Sequence, residues 1–261
     1  MEAYRNSLGV SVSVWKALLL REALSRLFSS RAAWFWLIAE PVLHMAILGF
    51  IFSVIRQRTV GGIDTLVWLV LGLQGFFLFR RTMNQMAGAI DSNRALFSYR
   101  QVKPTDTVLV RGFLEGLLMV MVITVIVAGL ALLGHDVSPA DPLKVLEAFW
   151  GLWLLAVGLG LIVSVVSELV PEFRNVVNMV MMPLYFVSGV LVPIAAVPEP
   201  YREWLLLNPV VHGLDAARSG FAPYYHAVPN LDVPYLYTCA LVCIFVGLVL
   251  HRRYAVFMVT K

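Results

Sequence analysis

Apolar residues in this chain come in long, nearly unbroken runs separated by short polar turns, with little of the alternation that marks half-buried strands. Six runs, over about 32–55, 65–90, 107–133, 143–166, 176–192 and 235–250, are read as helices crossing ~30 Å of hydrocarbon. The second is apolar only from Thr65 to Phe79, about 22 Å of helix, so it must continue past Arg80 and Arg81 to complete a crossing. Ahead of the first run, residues 15–31 show a different pattern. Leu20, Leu24, Leu27 and Phe28 share one helical face, while Arg21, Glu22, Ser25, Arg26 and Ser29 share the other. That is an amphipathic helix lying in the membrane interface with its cations towards the headgroups. Residues 193–234 suit neither a span nor a soluble loop. Prolines recur at 193, 198, 200, 209, 223, 229 and 234, with Tyr201, Trp204, Tyr224 and Tyr225 among them. Two short re-entrant helices or a soluble cap both fit this stretch. The expected fold is an all-α integral membrane protein, one domain over 1–261.

Composition agrees: 60% of residues are hydrophobic, only 14% are charged, and mean hydropathy is +0.81. Charge then orients the spans. With both termini cytoplasmic, Arg56, Arg58, Lys144, Arg202 and Arg218 lie outside and the other fifteen of the 20 Lys and Arg residues lie inside. Lys and Arg concentrate in short cytoplasmic loops in this way. The net charge of +4 therefore reports orientation, and no stacked basic-aromatic patch points to nucleic acid. Cys239 and Cys243 sit four apart inside an apolar run, as helix-packing residues rather than a disulfide or metal set. No cleavable signal is read at the N-terminus.

Candidate chemistry is sparse. Glu40 and His44 share a face of the first span beside Pro41, either as a functional intramembrane pair or as an interhelical hydrogen-bond clamp. Arg111 and Glu115 open the third span at i,i+4, an expected ion pair, with Gly112 and Gly116 permitting close helix approach. Arg80 and Arg81 at the inner boundary, with Arg56 outside, either snorkel to headgroups or face an aqueous substrate path. His135-Asp136 has the look of a metal pair without further ligands nearby. No phosphate-binding GxxxxGK[ST], no GxSxG and no HExxH occurs. If the protein moves something, energy comes from another subunit. The place to receive it is the polar stretch Asp91–Pro104, a cytoplasmic loop with one short amphipathic helix, capped by Asp91-Ser92 and ended by Pro104. An ordinary orienting loop is the alternative.

The amphipathic first helix, the Glu40-Pro41 step and the loop SNRALFSYRQVKPTD (Ser92 to Asp106) recur in order with Asn208-Pro209, His212 and Arg218-Ser219-Gly220-Phe221. Together these residues resemble the membrane subunits of type-2 ABC exporters, specifically the capsular polysaccharide permeases. One departure is Tyr99-Arg100, where a Tyr-Pro step is expected. The resemblance implies an inner-membrane homodimer with twelve spans and two ATP-binding cassette subunits beneath it. It implies a coupling helix over about 92–103, with Ser92, Asn93, Arg94, Leu96, Tyr99, Arg100 and Lys103 meeting the ATPase. The cargo would be a lipid-anchored, acidic polysaccharide, with periplasmic export components as further candidate partners. No cofactor is expected on this chain; ATP and magnesium belong to the partner ATPase. A permease for O-antigen, teichoic acid or a small hydrophobic compound is the second reading. A membrane-embedded enzyme on lipid-linked sugar, with Glu40, His44 or His212 as acid-base groups, is the third.

Overall fold

The computed structural model describes residues 7–28, 32–55, 59–99 and 101–260. The chain is helical almost throughout. Helix α1, Ser7–Phe28, precedes α2, Ala33–Ile55, which continues through Pro41. A two-residue hairpin follows, β1 (Thr59–Val60) pairing antiparallel with β2 (Ile63–Asp64). Its turn, Gly61-Gly62, has φ of 58° and 86°, a left-handed geometry that glycine adopts without steric cost. Asp64 ends the hairpin and caps the next helix, accepting from Leu66 N at 2.8 Å.

That helix, α3 (Thr65–Ala87), is the centre of the bundle. Some 83% of its apolar stretch is buried, against 11% for α2, although both are apolar all round. A helix apolar on every side must be covered by protein or by lipid. For α3 the cover is protein: α5 (Pro104–Leu132), α6 (Pro142–Leu169) and α9 (Pro209–Phe221) pack on it. Trp68, Leu69, Leu73, Phe76, Phe79 and Met83 form the core. Helix α10 (Val233–Arg253) packs along α6, and α2 lies at the periphery with little protein over it. The expected close approach at Gly112 and Gly116 is present. A β-carbon at Gly112 would meet Met86 Sδ at 2.6 Å, and one at Gly116 would meet Trp153 Nε1 at the same distance.

Each of these helices starts where proline or a capping side chain allows it. Pro104, Pro142 and Pro209 occupy first turns, while Asp141, Asn208 and Asp232 accept backbone N–H groups of α6, α9 and α10. Among the described residues five helices are long and apolar enough to cross a membrane: α2, α3, α5, α6 and α10. The run expected over 176–192 forms α7, Phe173–Val187, only about 22 Å long. It passes Pro183 and stops at Ser188, because Gly189 turns the backbone left-handed at φ 76°. A 3-10 turn (Ile194–Ala196) and α8 (Tyr201–Leu205) then lead into α9. Two short helices, α4 (Ala89–Ser92) directly after α3 and α11 (Ala255–Thr260) after α10, complete the helices of the described residues.

Candidate functional site

Two ends of the bundle differ in character, and the expected coupling segment marks one of them. It is not the single helix expected over 92–103. After Gly88 the chain makes the four-residue α4, then a 3-10 turn, Arg94–Ser98, then extended backbone to Lys103. The cause is local. Ser92 Oγ donates to Gly88 O at 2.8 Å and Asn93 Nδ2 to Ala89 O at 2.7 Å, so the side chains bond back to the preceding turn. Such back-bonding competes with the helical ladder. Beyond it the backbone runs on three-residue bonds, Leu96 N to Asn93 O and Tyr99 N to Leu96 O. The result is a compact knuckle. Phe97 points inward among Met86, Ala89, Ile90 and Val108, while Leu96 is half-buried and Tyr99 is 66% exposed. Lys103 is exposed at the entry to α5. Arg100 lies outside the described residues.

Arginine contacts brace this knuckle from three sides. Arg94 Nη2 reaches Glu168 at the end of α6 at 2.8 Å and Asp91 at 3.4 Å. Arg174 donates to Ala87 O, the last carbonyl turn of α3, at 3.0 Å. From α1, Arg21 donates to Asn93 Oδ1. The expected pair between Arg111 and Glu115 is not made. Arg111 Nε donates instead to Glu22 Oε1 at 2.6 Å, and also approaches Ser92 Oγ at 3.3 Å. Glu115, only 1% exposed, takes Arg26 Nη2 at 3.0 Å and Arg81 Nε at 3.2 Å. A neighbour on the same helix is out-competed because α1 brings Glu22 and Arg26, one turn apart, against the face of α5 that carries Arg111 and Glu115. A carboxylate as buried as Glu115 needs more than one donor to offset its lost hydration. Glu22 and Arg26, which the amphipathic pattern assigned to the headgroup side of α1, are therefore buried or half-buried pairing residues.

This geometry separates the two adjacent arginines. Arg81 is turned into the Glu115 network and away from any open path. Arg80 points the other way, its guanidinium carbon 5.2 Å from the Phe77 ring centroid. His44 of α2 meets the same ring edge-on at 5.3 Å, and Tyr185 of α7 packs edge-on against Phe76 at 5.3 Å. Arg80, His44, Phe77 and Tyr185 thus gather as one wall of α3, towards α2 and α7, in which Phe77 is buried and Tyr185 half-buried. Glu40 and His44 are both exposed on α2, and Glu40 has no hydrogen bond or ion pair among the described residues. The clamp expected of that pair is not made within one chain. Arg56 lies outside the described residues.

The opposite end is held by a buried polar cluster that spacing alone did not reveal. Arg218 of α9 stacks on Trp68, 3.7 Å from the ring centroid, and donates to Gly189 O at 2.7 Å and Val190 O at 3.0 Å. Three residues earlier, Asp215 accepts from Tyr225 Oη at 2.6 Å and Val228 N at 2.7 Å. Burial, then the Asp215 carboxylate, pushes the Tyr225 phenol up. His212 accepts from Asp232 N at 3.0 Å through Nδ1, so Nε2 carries the proton given to Leu206 O at 2.8 Å. Both ring nitrogens are spent on backbone, which removes His212 from acid-base chemistry. His135 pairs with Asp64 at 3.2 Å, while Asp136 accepts from Ser138 N. No cluster of metal-binding side chains occurs among the described residues.

Residues 13–222 match the family model described as ABC-2 type transporter. The chain belongs to that family. Its relatives include a polysialic acid transport protein, KpsM, of Escherichia coli, 36% identical over 94% of this chain and 95% of the relative. The capsule polysaccharide export inner-membrane protein CtrC of Neisseria meningitidis is 28% identical over 97% of this chain and 95% of its own. BexB of Haemophilus influenzae, of the same description, is 24% identical over the same shares. As an ABC-2 membrane subunit the chain is a multi-pass inner-membrane permease that works with ATP-binding subunits, and ATP hydrolysis lies in those subunits rather than here. Helices α10 and α11 lie beyond the stretch the family model matches.

Proposed function

We propose that this permease is the channel-forming half of a capsule exporter that moves a lipid-anchored, acidic polysaccharide across the inner membrane. Two copies pair through the thinly covered side that carries α2, and α7 with the turn after it serves as the sixth membrane element. Both termini and the knuckle at 88–103 face the cytoplasm, where two ATP-binding subunits dock. Ser92, Asn93, Arg94, Leu96, Tyr99, Arg100 and Lys103 form or brace the docking surface. The observation that carries the reading is the wall of Arg80, Phe77, His44 and Tyr185. Aromatic faces let a long glycan slide, and a forked guanidinium holds carboxylate or phosphate in two bonds without a fixed register. The relatives named for polysialic acid and capsule export supply the cargo class.

The test is reconstitution of the chain with its ATP-binding subunit in inner-membrane lipid. Lipid-linked acidic glycan is expected to stimulate ATP hydrolysis, and a neutral lipid-linked glycan of equal length to stimulate it less. Equal stimulation by both, or stimulation only by small hydrophobic compounds, would turn the assignment to the second reading.

A further inference from the structure

The far end of the chain returns to the knuckle. Helix α10 finishes at Arg253, Tyr254 breaks the direction, and α11 folds back against the turn at 94–98 and the start of α5. Val256 and Val259 are exposed on α11, while Met258 is fully enclosed. Its thioether sits in the cluster that holds Phe97, Ala89, Ile90 and Val108, with Val102 and Tyr254 packed on the same group. The residue that fills the underside of the knuckle therefore comes from position 258, some 160 residues away.

A second contact lies one helical turn before the break. His251 is buried, with Nε2 3.0 Å from Ser164 Oγ and Nδ1 3.4 Å from Thr105 Oγ1. Ser164 already gives its proton to Leu161 O at 2.8 Å. Its oxygen must then accept from Nε2–H, which leaves Nδ1 to accept from the Thr105 hydroxyl. Thr105 is the second residue of α5, directly after the knuckle. The last turn of α10 and the α11 that follows it thus touch the knuckle from beneath and hold its exit to α6.

We propose that the C-terminal segment His251–Thr260 is a strut that positions the knuckle for the ATP-binding subunit, with Met258 and His251 as its positioning residues. This rests on the docking reading above and adds the part that keeps the docking surface in shape. Without the strut the 3-10 turn has few backbone bonds of its own and one open apolar side. Force applied at Leu96 or Tyr99 would then bend the knuckle instead of moving α5 and α6. The segment is needed for coupling, although it meets neither nucleotide nor cargo.

The experiment uses the whole transporter in its membrane, with a cysteine at Ala95→Cys to report crosslinking to the ATP-binding subunit. Export and ATP hydrolysis are measured together. Met258→Ala is expected to lower both crosslinking yield and export per ATP hydrolysed by about fivefold, while the subunits still co-purify in the same ratio. Met258→Leu, which refills the space, is expected to restore both. A chain ending at Tyr254 should behave as Met258→Ala does; if that chain fails to accumulate, the Ala and Leu pair still decides. Unchanged crosslinking and unchanged export per ATP in Met258→Ala overturn the strut alone. So does a fall in protein yield with export per ATP intact, which is what a merely structural contact predicts. Absence of crosslinking along the knuckle in the unsubstituted protein overturns the docking reading, and the strut with it.

Discussion

Arg80 and Arg81 are neighbours with the same side chain, and the fold gives them different surroundings. Arg81 is one of two donors to the buried Glu115 carboxylate, so its value lies in geometry within the fold. Replacing Glu115 by Ala strands Arg81 and Arg26 without their acceptor, and breaking a buried pair from one side costs about 3–5 kcal/mol. Glu115→Ala is therefore expected to lower the melting temperature of the detergent-purified chain, and an unchanged melting temperature would show the network to be decorative. Arg80 stands beside Phe77, and in the function proposed above its guanidinium fork matters for what it binds. Arg80→Lys is expected to lower export severalfold at unchanged melting temperature, and Arg81→Lys to lower stability first. Transport assays and thermal melts of the two variants side by side separate the roles. The reverse pattern, or wild-type behaviour of both, would return Arg80 to snorkelling.

At the scale of the element, the knuckle shows what a sequence pattern can carry and what it cannot. The five long spans are written in run length, the starts of three of them in Pro104, Asp141-Pro142 and Asp232, and that of α9 in Asn208-Pro209, because these signals act within a few residues. The single helix expected over 92–103 does not form because Ser92 and Asn93 decide the backbone by bonding backwards, which cations and periodicity do not show. The amphipathic pattern of α1 turns Glu22 and Arg26 towards the headgroups because their partners stand about ninety positions away on α5, beyond the reach of a local pattern. The short α7 was illegible for a related reason: its end depends on Gly189 turning left-handed where Arg218 takes up its carbonyl. Phe97 tests the knuckle as a packed unit. Phe97→Ala removes its inward side chain, a loss of about 3–5 kcal/mol in a well-packed core. Crosslinking between knuckle cysteines and the ATP-binding subunit should fall while α1 to α10 remain folded by circular dichroism; retained crosslinking would mean the turn holds its shape from backbone alone.

For the whole molecule the unresolved force is at Glu40. Helix α2 is long enough to cross the membrane, yet only 11% of its apolar stretch is covered by the rest of the chain. Leu43, Ile47 and Phe50 are exposed along it, which lipid tolerates, but so is Glu40, which lipid does not. An ionisable side chain at that depth faces either a water-filled path or another polypeptide. His44, one turn on, shares the exposed side and already leans on Phe77, in the wall proposed above to meet the cargo. Both conditions meet if the second copy closes the wall here, with Glu40 bonding across the seam as the clamp expected from its spacing. Glu40→Gln should then keep a hydrogen-bonding partner, a dimer and nearly full export. Glu40→Ala should leave the opposing group unsatisfied, a penalty of about 1–3 kcal/mol per buried group, and shift the protein towards monomer. Size-exclusion light scattering and export at matched expression decide it: an intact dimer that does not export when Glu40 is Gln would show that the carboxylate itself, and not the clamp, serves the cargo.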